Sequence, residues 1–412
     1  MSRLVNIEDY RRSAGRRLPK IIFDYLEGGA LDEQTLRANA EDLQRLRLRQ
    51  SIMRDVSSVD LTSTVLGYTI RTPVMISPMG LLTLFCRDAD VAMARAAQDA
   101  GTIFVHSAWS GTPLRTVAAA APGSVWAQLS LWKDAGLVRQ HIERAEEAGI
   151  DVLVIAGDVS VSSKRERDLH NGFGVTARPT IPSALNALRK PRWLANFAFG
   201  PKVTFGDQSI NGKPMNLRQM ERFMHEYEND TTTWRDIEQV RERWPGKLAI
   251  KGVMSAADAQ AARDAGADAI FISNHGGRQF DAQPSTTHAL QEIAAAVGGE
   301  TEILIDGGIR RGGDILKLTA LGASACLVGR PAVYGAVTAG QPGVSAILRI
   351  LAEEAATALA FTGATRLDDL NPDMVVGPTA WRSASPRRHP PALASEHTPS
   401  SGRSDRRTAL GL

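Results

Sequence analysis

The chain has 412 residues, 43% hydrophobic and 23% charged, a length and mix that suit one large α/β unit with a sizeable core. Its formal net charge of +3 resides at the end: residues 379–412 hold six Arg and two acids, while the preceding 378 residues carry 42 basic and 43 acidic groups. A near-neutral body excludes a nucleic-acid groove, two cysteines (Cys86 and Cys326) exclude a disulfide framework and give no metal-ligand spacing, and no run reaches the roughly 18 apolar residues that span a bilayer.

No signal-peptide layout opens the chain, so the expected setting is the cytoplasm, with peripheral contact on the inner face of the cell membrane as the one extension. Helical periodicity covers 7–15 and 20–26. Short apolar runs follow at 74–77, 103–107, 125–129, 152–157, 248–252, 269–273, 303–307 and 326–329, and they read as strands buried on both faces. Helical patterns rich in Ala, Leu, Glu and Arg intervene at 90–100, 135–148, 256–265, 314–321 and 344–359. Ser255 followed by Asp258 predicts a capped helix start. Strand and helix repeating eight times predict a TIM (β/α)8 barrel. A doubly wound sheet ranks below it, because no Gly-x-Gly-x-x-Gly follows an early strand. The gap between 157 and 248 is too long for a crossover, so an insertion is expected at about 159–232, closed by a helix near 233–243. The barrel unit is read as 1–378, and 379–412 as a disordered tail rich in Ser, Pro and Arg.

In a barrel the carboxyl ends of the strands carry the chemistry. Here those ends are polar. Ser107 ends the second strand, Gln128 lies in the third, Asp158 follows the fourth and Lys251 lies in the fifth. The sixth leads into Ser273-Asn274-His275-Gly276-Gly277-Arg278-Gln279, the seventh into Asp306-Gly307-Gly308-Ile309-Arg310-Arg311-Gly312, and the eighth into Gly329-Arg330. Singly, each suits a solvated loop; their convergence on one mouth predicts a site. Loops seven and eight are the usual phosphate cradle of barrels, where glycine backbone and the Arg310 and Arg330 side chains donate to an anion. The bland alternative is that Gly307, Gly308, Gly312 and Gly313 only form a tight turn. His275 is of the type that takes a proton near neutrality, Arg278 offers a fork matched to a carboxylate, and Asp158 is available to orient the imidazole.

These strings resemble the FMN-dependent 2-hydroxy acid dehydrogenases, a family that includes glycolate oxidase, L-lactate dehydrogenase and (S)-mandelate dehydrogenase. The resemblance runs from about residue 6 to 370. Arg165-Glu166-Arg167-Asp168-Leu169-His170-Asn171 and Tyr25-Leu26-Glu27-Gly28-Gly29-Ala30 are most similar to the mandelate dehydrogenases. The resemblance implies FMN as cofactor and oxidation of an L-2-hydroxy acid to the 2-oxo acid. It implies His275 as base with Asp158 as partner, and Arg278, Tyr25 and Arg165 as holders of the substrate carboxylate. Lys251, Ser107 and Gln128 would lie against the flavin ring, with the backbone of Pro78, Met79 and Gly80 facing it. Asp306 would bind the ribityl chain, and Gly308, Arg310, Gly329 and Arg330 the phosphate, with Ser273 and Gly307 in the same loops. A homo-oligomer, tetrameric in the family, is implied as well.

Three departures mark this chain. Gln128-Leu129-Ser130 stands where the family has Gln-x-Tyr, Ala156 stands where it has Thr, and 86–90 departs from His-Pro-x-Gly-Glu. The volume vacated at Ser130 is expected to admit a bulky substrate side chain, a water or Trp132. Two rival readings stay open: an FMN barrel of another class, such as an isomerase, and a weakly active sensor or scaffold. Arg278 favours the carboxylate-binding enzyme. Quinone and oxygen are the electron acceptors considered. Within 184–200, Leu185, Leu188, Trp193, Leu194, Phe197 and Phe199 accompany Arg189, Lys190 and Arg192, with Lys202 just beyond. That composition suits contact with anionic lipid or a lid against a neighbouring subunit.

Overall fold

Side chains of a strand face alternate ways, so a strand that is apolar at every position must be covered on both faces. The computed structural model describes residues 4–173, 181–199, 203, 205–207, 209–210, 213–215, 219, 223, 226 and 229–378, and in it eight such strands close into a parallel barrel. They are β1 (Val74–Ile76), β2 (Phe104–His106), β3 (Val125–Ser130), β4 (Val152–Ala156), β5 (Lys247–Val253), β6 (Ala269–Ile272), β7 (Glu302–Ile305) and β8 (Ala325–Val328). Their order round the ring follows the chain, and β8 returns to β1 through the Cys326–Val74 pair. Met75, Val105, Trp126, Val154, Phe271, Leu304 and Leu327 form one buried cluster inside the ring. The intervening Ile76, Phe104, Ala127, Ile155, Ile270, Ile305 and Val328 belong to a second cluster, under the helices. The expected TIM barrel is the fold.

The helices are α1 (Ile7–Arg17), α2 (Lys20–Glu27), α3 (Gln34–Arg45), α4 (Ala89–Ala100), α5 (Leu114–Ala120), α6 (Ala135–Glu147), α7 (Glu166–His170), α8 (Ile181–Leu188), α9 (Pro191–Phe199), α10 (Trp234–Arg243), α11 (Ala256–Asp264), α12 (Thr286–Val297), α13 (Gly312–Ala320), α14 (Arg330–Ala339) and α15 (Gln341–Thr362). Ser255 caps α11 as expected, accepting from the Asp258 N–H at 3.1 Å. Helices α3, α5, α12 and α14 had no sequence forecast. α12 is rich in Ala, Leu, Gln and Glu behind its two opening threonines, so propensity favours it, whereas α14 combines glycine with β-branched residues and depends more on packing. A hairpin, Ser63–Val65 with Tyr68–Ile70, closes the amino end of the barrel. Its turn N–H at Leu66 donates to both Glu302 carboxylate oxygens at 3.0 Å, and Tyr68 donates its hydroxyl to Asp151 at 2.8 Å.

The insertion lies between β4 and α10 and contributes α7, α8 and α9. It is tied to the barrel by the Trp193 indole, which donates to the Leu84 carbonyl at 2.9 Å, and by Lys190, which donates to the Arg16 carbonyl at 2.6 Å. The tail expected at 379–412, and Lys202, lie outside the described residues. No helix among the described residues is long and apolar enough to cross a membrane.

Helices α14 and α15 cross at a glycine pair. A Cβ on Gly335 would sit 2.6 Å from the Gly343 carbonyl oxygen, which is backbone and cannot move aside alone. Gly335→Ala should therefore destabilise the barrel by roughly 2 kcal/mol or more, because prying two helices apart costs more than the about 1 kcal/mol that Ala gains over Gly in a helix. Urea unfolding of parent and variant measures this; an unchanged midpoint would show that the crossing tolerates a methyl group.

Candidate active site

The inward-facing set of each strand continues into the mouth. Two residues beyond Met75, Val105, Trp126, Phe271 and Leu304 stand Ser77, Ser107, Gln128, Ser273 and Asp306. All of these but Ser273 line a cavity of about 320 Å³. Every residue given a catalytic, substrate or cofactor role from the sequence lines it except Asp158 and Ser273, which stand directly behind its wall.

His275 follows β6 in the left-handed region (φ +56), and Gly276 and Gly277 continue there at +63 and +74. A side chain on Gly277 would strike the Leu36 backbone N at 2.5 Å. This tight corner explains the Asn-His-Gly-Gly string: it turns the imidazole back over the cavity. The His275 Nδ1 lies 3.1 Å from Asp158 Oδ2. Burial alone would push the Asp158 carboxyl up, but the Lys251 ammonium and the His275 ring hold it down at about 2. An ionised carboxylate only accepts, so Nδ1 carries the proton of that bond, and in the neutral ring the lone pair is then on Nε2. Lys251 is 4% exposed and stands 3.7 Å from Asp158 and 3.9 Å from Asp306. It donates to Ser273 Oγ at 2.7 Å, Ser273 donates to Asp306 at 2.7 Å, and Ser77 donates to the other Asp306 oxygen at 2.8 Å. Behind the histidine, one lysine is thus held between two carboxylates.

A cationic pocket adjoins it. The Arg278 guanidinium lies 5.0 Å from the Tyr25 ring centroid, and Arg165 lies 6.0 Å from the same ring. Arg278 Nη1 donates to the carbonyls of Tyr25 (2.8 Å) and Gly28 (2.7 Å). Burial, and then Arg165 beside it, pull the Arg278 guanidinium below its ordinary range, a tension that a bound carboxylate relieves. Asp168, unassigned in the sequence, is buried here; burial raises its carboxyl while Arg278 and Arg165 oppose that. Its only sequence signal was its spacing, one helical turn after Arg165.

On the opposite wall Ser107 donates to Gln128 Oε1 at 3.1 Å, and Gln128 Nε2 donates to Ser130 Oγ at 3.1 Å. The Trp109 indole N–H also donates to Ser130 Oγ, at 3.1 Å. The space beside Ser130 is therefore met by Trp109, against which Trp132 stands edge-on with ring centroids 4.5 Å apart. Phe205, from the insertion, meets Trp109 at 5.1 Å and was not foreseen. Gly80 permits this wall, since a Cβ there would lie 2.9 Å from Trp109 Cβ. Ala156 adds no polar atom.

The remaining end is built for an anion. Gly307 and Gly308 turn through φ +105 and +77, and their N–H groups donate to no acceptor among the described residues. Helix α14 starts at this point without a side-chain cap. Arg310 donates one bond to the Ile309 carbonyl, at 2.8 Å. Gly312 serves packing instead, lying against the α15 backbone at Glu354 and Ala355. Arg330 donates to the carbonyls of Leu26, Gly28 and Gly276. Unpaired backbone donors with Arg310, then Ser77 and Asp306, then Ser107, Gln128 and Lys251 fit the phosphate, ribityl and ring parts of FMN.

Asp158 links the site to acid stability. Its carboxyl lies at about 2 in the folded protein, against about 3.9 in an unfolded chain. The resulting stabilisation, on the order of 2 kcal/mol, is present above about pH 4 and lost as pH falls towards 2. Asp158→Asn should flatten the acid limb of the stability curve by that amount, measured by urea unfolding at stepped pH. Identical limbs in parent and variant would mean that the carboxyl is not depressed.

Comparison with known proteins agrees with this geometry. Residues 14–377 match the FMN-dependent dehydrogenase family. The chain is 38% identical over 371 residues to an L-lactate dehydrogenase of Azorhizobium caulinodans, covering 90% of this chain and 97% of that one. An L-lactate dehydrogenase of Yersinia pestis is 39% identical over 367 residues, covering 89% and 96%. Among solved structures, a monotopic membrane protein, (S)-mandelate dehydrogenase, superposes with a TM-score of 0.87 at 35% identity, covering 92% of this chain and 100% of that one. A mandelate oxidase superposes with a TM-score of 0.78 at 35% identity, covering 90% and 98%. With its barrel, its anion cradle and its histidine–aspartate pair in one cavity, the chain belongs to the FMN-dependent dehydrogenases, the family of FMN-containing 2-hydroxy acid dehydrogenases and oxidases.

Proposed function

We propose that this enzyme oxidises an L-2-hydroxy acid of the lactate or mandelate kind to its 2-oxo acid, with His275 as the base. One observation carries the reading: a proton-accepting imidazole backed by Asp158 shares one cavity with the Arg278, Arg165 and Tyr25 cluster. Arg278 keeps Nε and Nη2 for a carboxylate, and Tyr25 adds its hydroxyl, so the acid is oriented before reaction. His275 takes up a proton at Nε2 as the hydroxyl carbon becomes a carbonyl, and Asp158 stabilises the resulting imidazolium. When bound, FMN would accept the two electrons and the second proton that leave the substrate. Ser107, Gln128 and Lys251 would hold its ring against Pro78, Met79 and Gly80, Asp306 and Ser273 its ribityl side, and Gly307, Gly308, Arg310, Gly329 and the one remaining N–H of Arg330 its phosphate. Trp109, Phe85, Leu81 and Phe205 offer an apolar wall, which favours a bulky or aromatic side chain over glycolate.

Quinone or oxygen would take the electrons onward from the cofactor. Quinone is supported by the insertion surface, where Leu185, Leu188, Phe197 and Phe199 are exposed beside Arg189 and Arg192. Such a face suits the headgroup region of an anionic bilayer.

The deciding experiment is anaerobic mixing of the yellow protein with glycolate, L-lactate and (S)-mandelate. The flavin should bleach, fastest with the aromatic acid. His275→Ala should retain FMN and lose about 10² to 10⁴-fold in the reduction rate; reduction at the parent rate would remove the base assignment. For the membrane reading, parent protein should sediment with anionic vesicles in a salt-sensitive way. Serine at Leu185, Leu188, Phe197 and Phe199 should abolish that; equal sedimentation of both proteins would favour a packed lid.

A further inference from the structure

Arg330 opens α14 at the end of β8, the position from which barrels reach a phosphate. Its guanidinium is engaged elsewhere. Nε donates to the Leu26 carbonyl at 2.9 Å, Nη2 to the Gly28 carbonyl at 3.0 Å, and Nη1 and Nη2 both to the Gly276 carbonyl at 3.2 Å. A guanidinium has five N–H groups, so a single one, on Nη1, is left for the cavity. The carbonyls of Tyr25, Leu26 and Gly28 lie at the C-terminal end of α2, where a helix has acceptors without internal partners and favours a cation. α2 has no basic residue in its own last turn. Arg330 supplies one cation there from β8, and Arg278 supplies another from β6.

The surroundings are shaped to this contact. Gly276 sits at φ +63, and a Cβ on it would lie 2.9 Å from Arg330 Nη1. From the far side Glu27 accepts from the buried Tyr334 hydroxyl and from Arg11 Nε at 2.6 Å, tying α2 to α14 and α1. Beyond Gly28 the chain is held to the same loop, with the Ala30 N–H on the Gly277 carbonyl at 2.9 Å.

We propose that Arg330 is a positioning residue for the substrate side of the site: it fastens the segment Tyr25–Gly28 across the barrel mouth and so fixes where the Tyr25 hydroxyl and the free edge of Arg278 stand. The side-chain charge for the cofactor phosphate then comes chiefly from Arg310. The inference rests on the reading of Tyr25 and Arg278 as the carboxylate clamp.

The test compares Arg330→Lys with Arg310→Met. Lysine keeps the charge but cannot make four bonds to three carbonyls. Three quantities are read: FMN affinity, by titrating apoprotein and following flavin fluorescence; trypsin cleavage within residues 11–20 of the FMN-loaded protein; and KM against the limiting rate of flavin reduction. Arg330→Lys should raise KM and speed cleavage by about ten-fold or more, the worth of one charge-assisted hydrogen bond, with a smaller change in FMN affinity and limiting rate. Arg310→Met should weaken FMN binding about ten-fold or more and leave cleavage at the parent rate. The proposal falls if Arg330→Lys weakens FMN as much as Arg310→Met while cleavage and KM stay at parent values. If Arg330→Lys does not fold, Glu27→Gln loosens the same segment from outside the cavity. It should then raise KM and cleavage with FMN affinity unchanged, and parent values for both would overturn the proposal. If no 2-hydroxy acid bleaches the parent flavin, the substrate reading fails, while cleavage and FMN affinity still decide what Arg330 holds.

Discussion

A strand in a closed barrel presents only every second side chain to the interior, and that alternation governs the whole site. The inward apolar positions stack as a dry plug, and the next inward position on each strand meets the mouth. Lys251, Ser273, Asp306, Ser107 and Gln128 inherit their mutual distances from strand register, not from loops. A one-residue slip of β5 would turn Lys251 into the helix layer and bring Ile250 or Gly252 inward. The parallel register with β4, pairing Lys251 with Ala156, blocks such a slip because both faces of both strands are buried.

Charge is the second constraint. A lysine that is 4% exposed is stable there only with compensation, and Asp158 and Asp306 supply it. Buried ion clusters seldom add net stability over apolar packing. Their persistence here fits a site that receives anions. The excess of guanidinium groups from Arg165, Arg278, Arg310 and Arg330 is only partly offset by Asp168 and Glu27, so the remaining positive charge favours a carboxylate and a phosphate.

Much of this was legible in the sequence, for identifiable reasons. The eight apolar runs announced the barrel because burial on both faces removes the polar half of the alternation. The polar residues at the barrel mouth were legible because they lie in or just after a strand, whereas Tyr25 and Arg165 were read only from the resemblance. What stayed hidden depends on contacts between distant segments. Nothing local tells that Trp109 meets Ser130 across two strands, that Phe205 arrives from the insertion, or that Arg330 reaches the end of α2. Helix α14 stayed hidden for a related reason: valine, threonine and glycine disfavour it locally, and tertiary packing overrides that preference.

The hairpin at the amino end has a consequence for traffic. With Val65, Leu66 and Ile70 driven against the lowest inward layer, and Glu302 and Tyr68 fixing the turn, the barrel is a flask with a stopper. Among the described residues, the cavity then opens through a doorway at the carboxyl end of the barrel, where His275 stands. The partly exposed imidazole stands in that doorway, at 35% exposure of its side chain. A molecule lodged over it stands between the ring and bulk water. Exchange between that ring and water is thereby tied to whether the cavity is occupied.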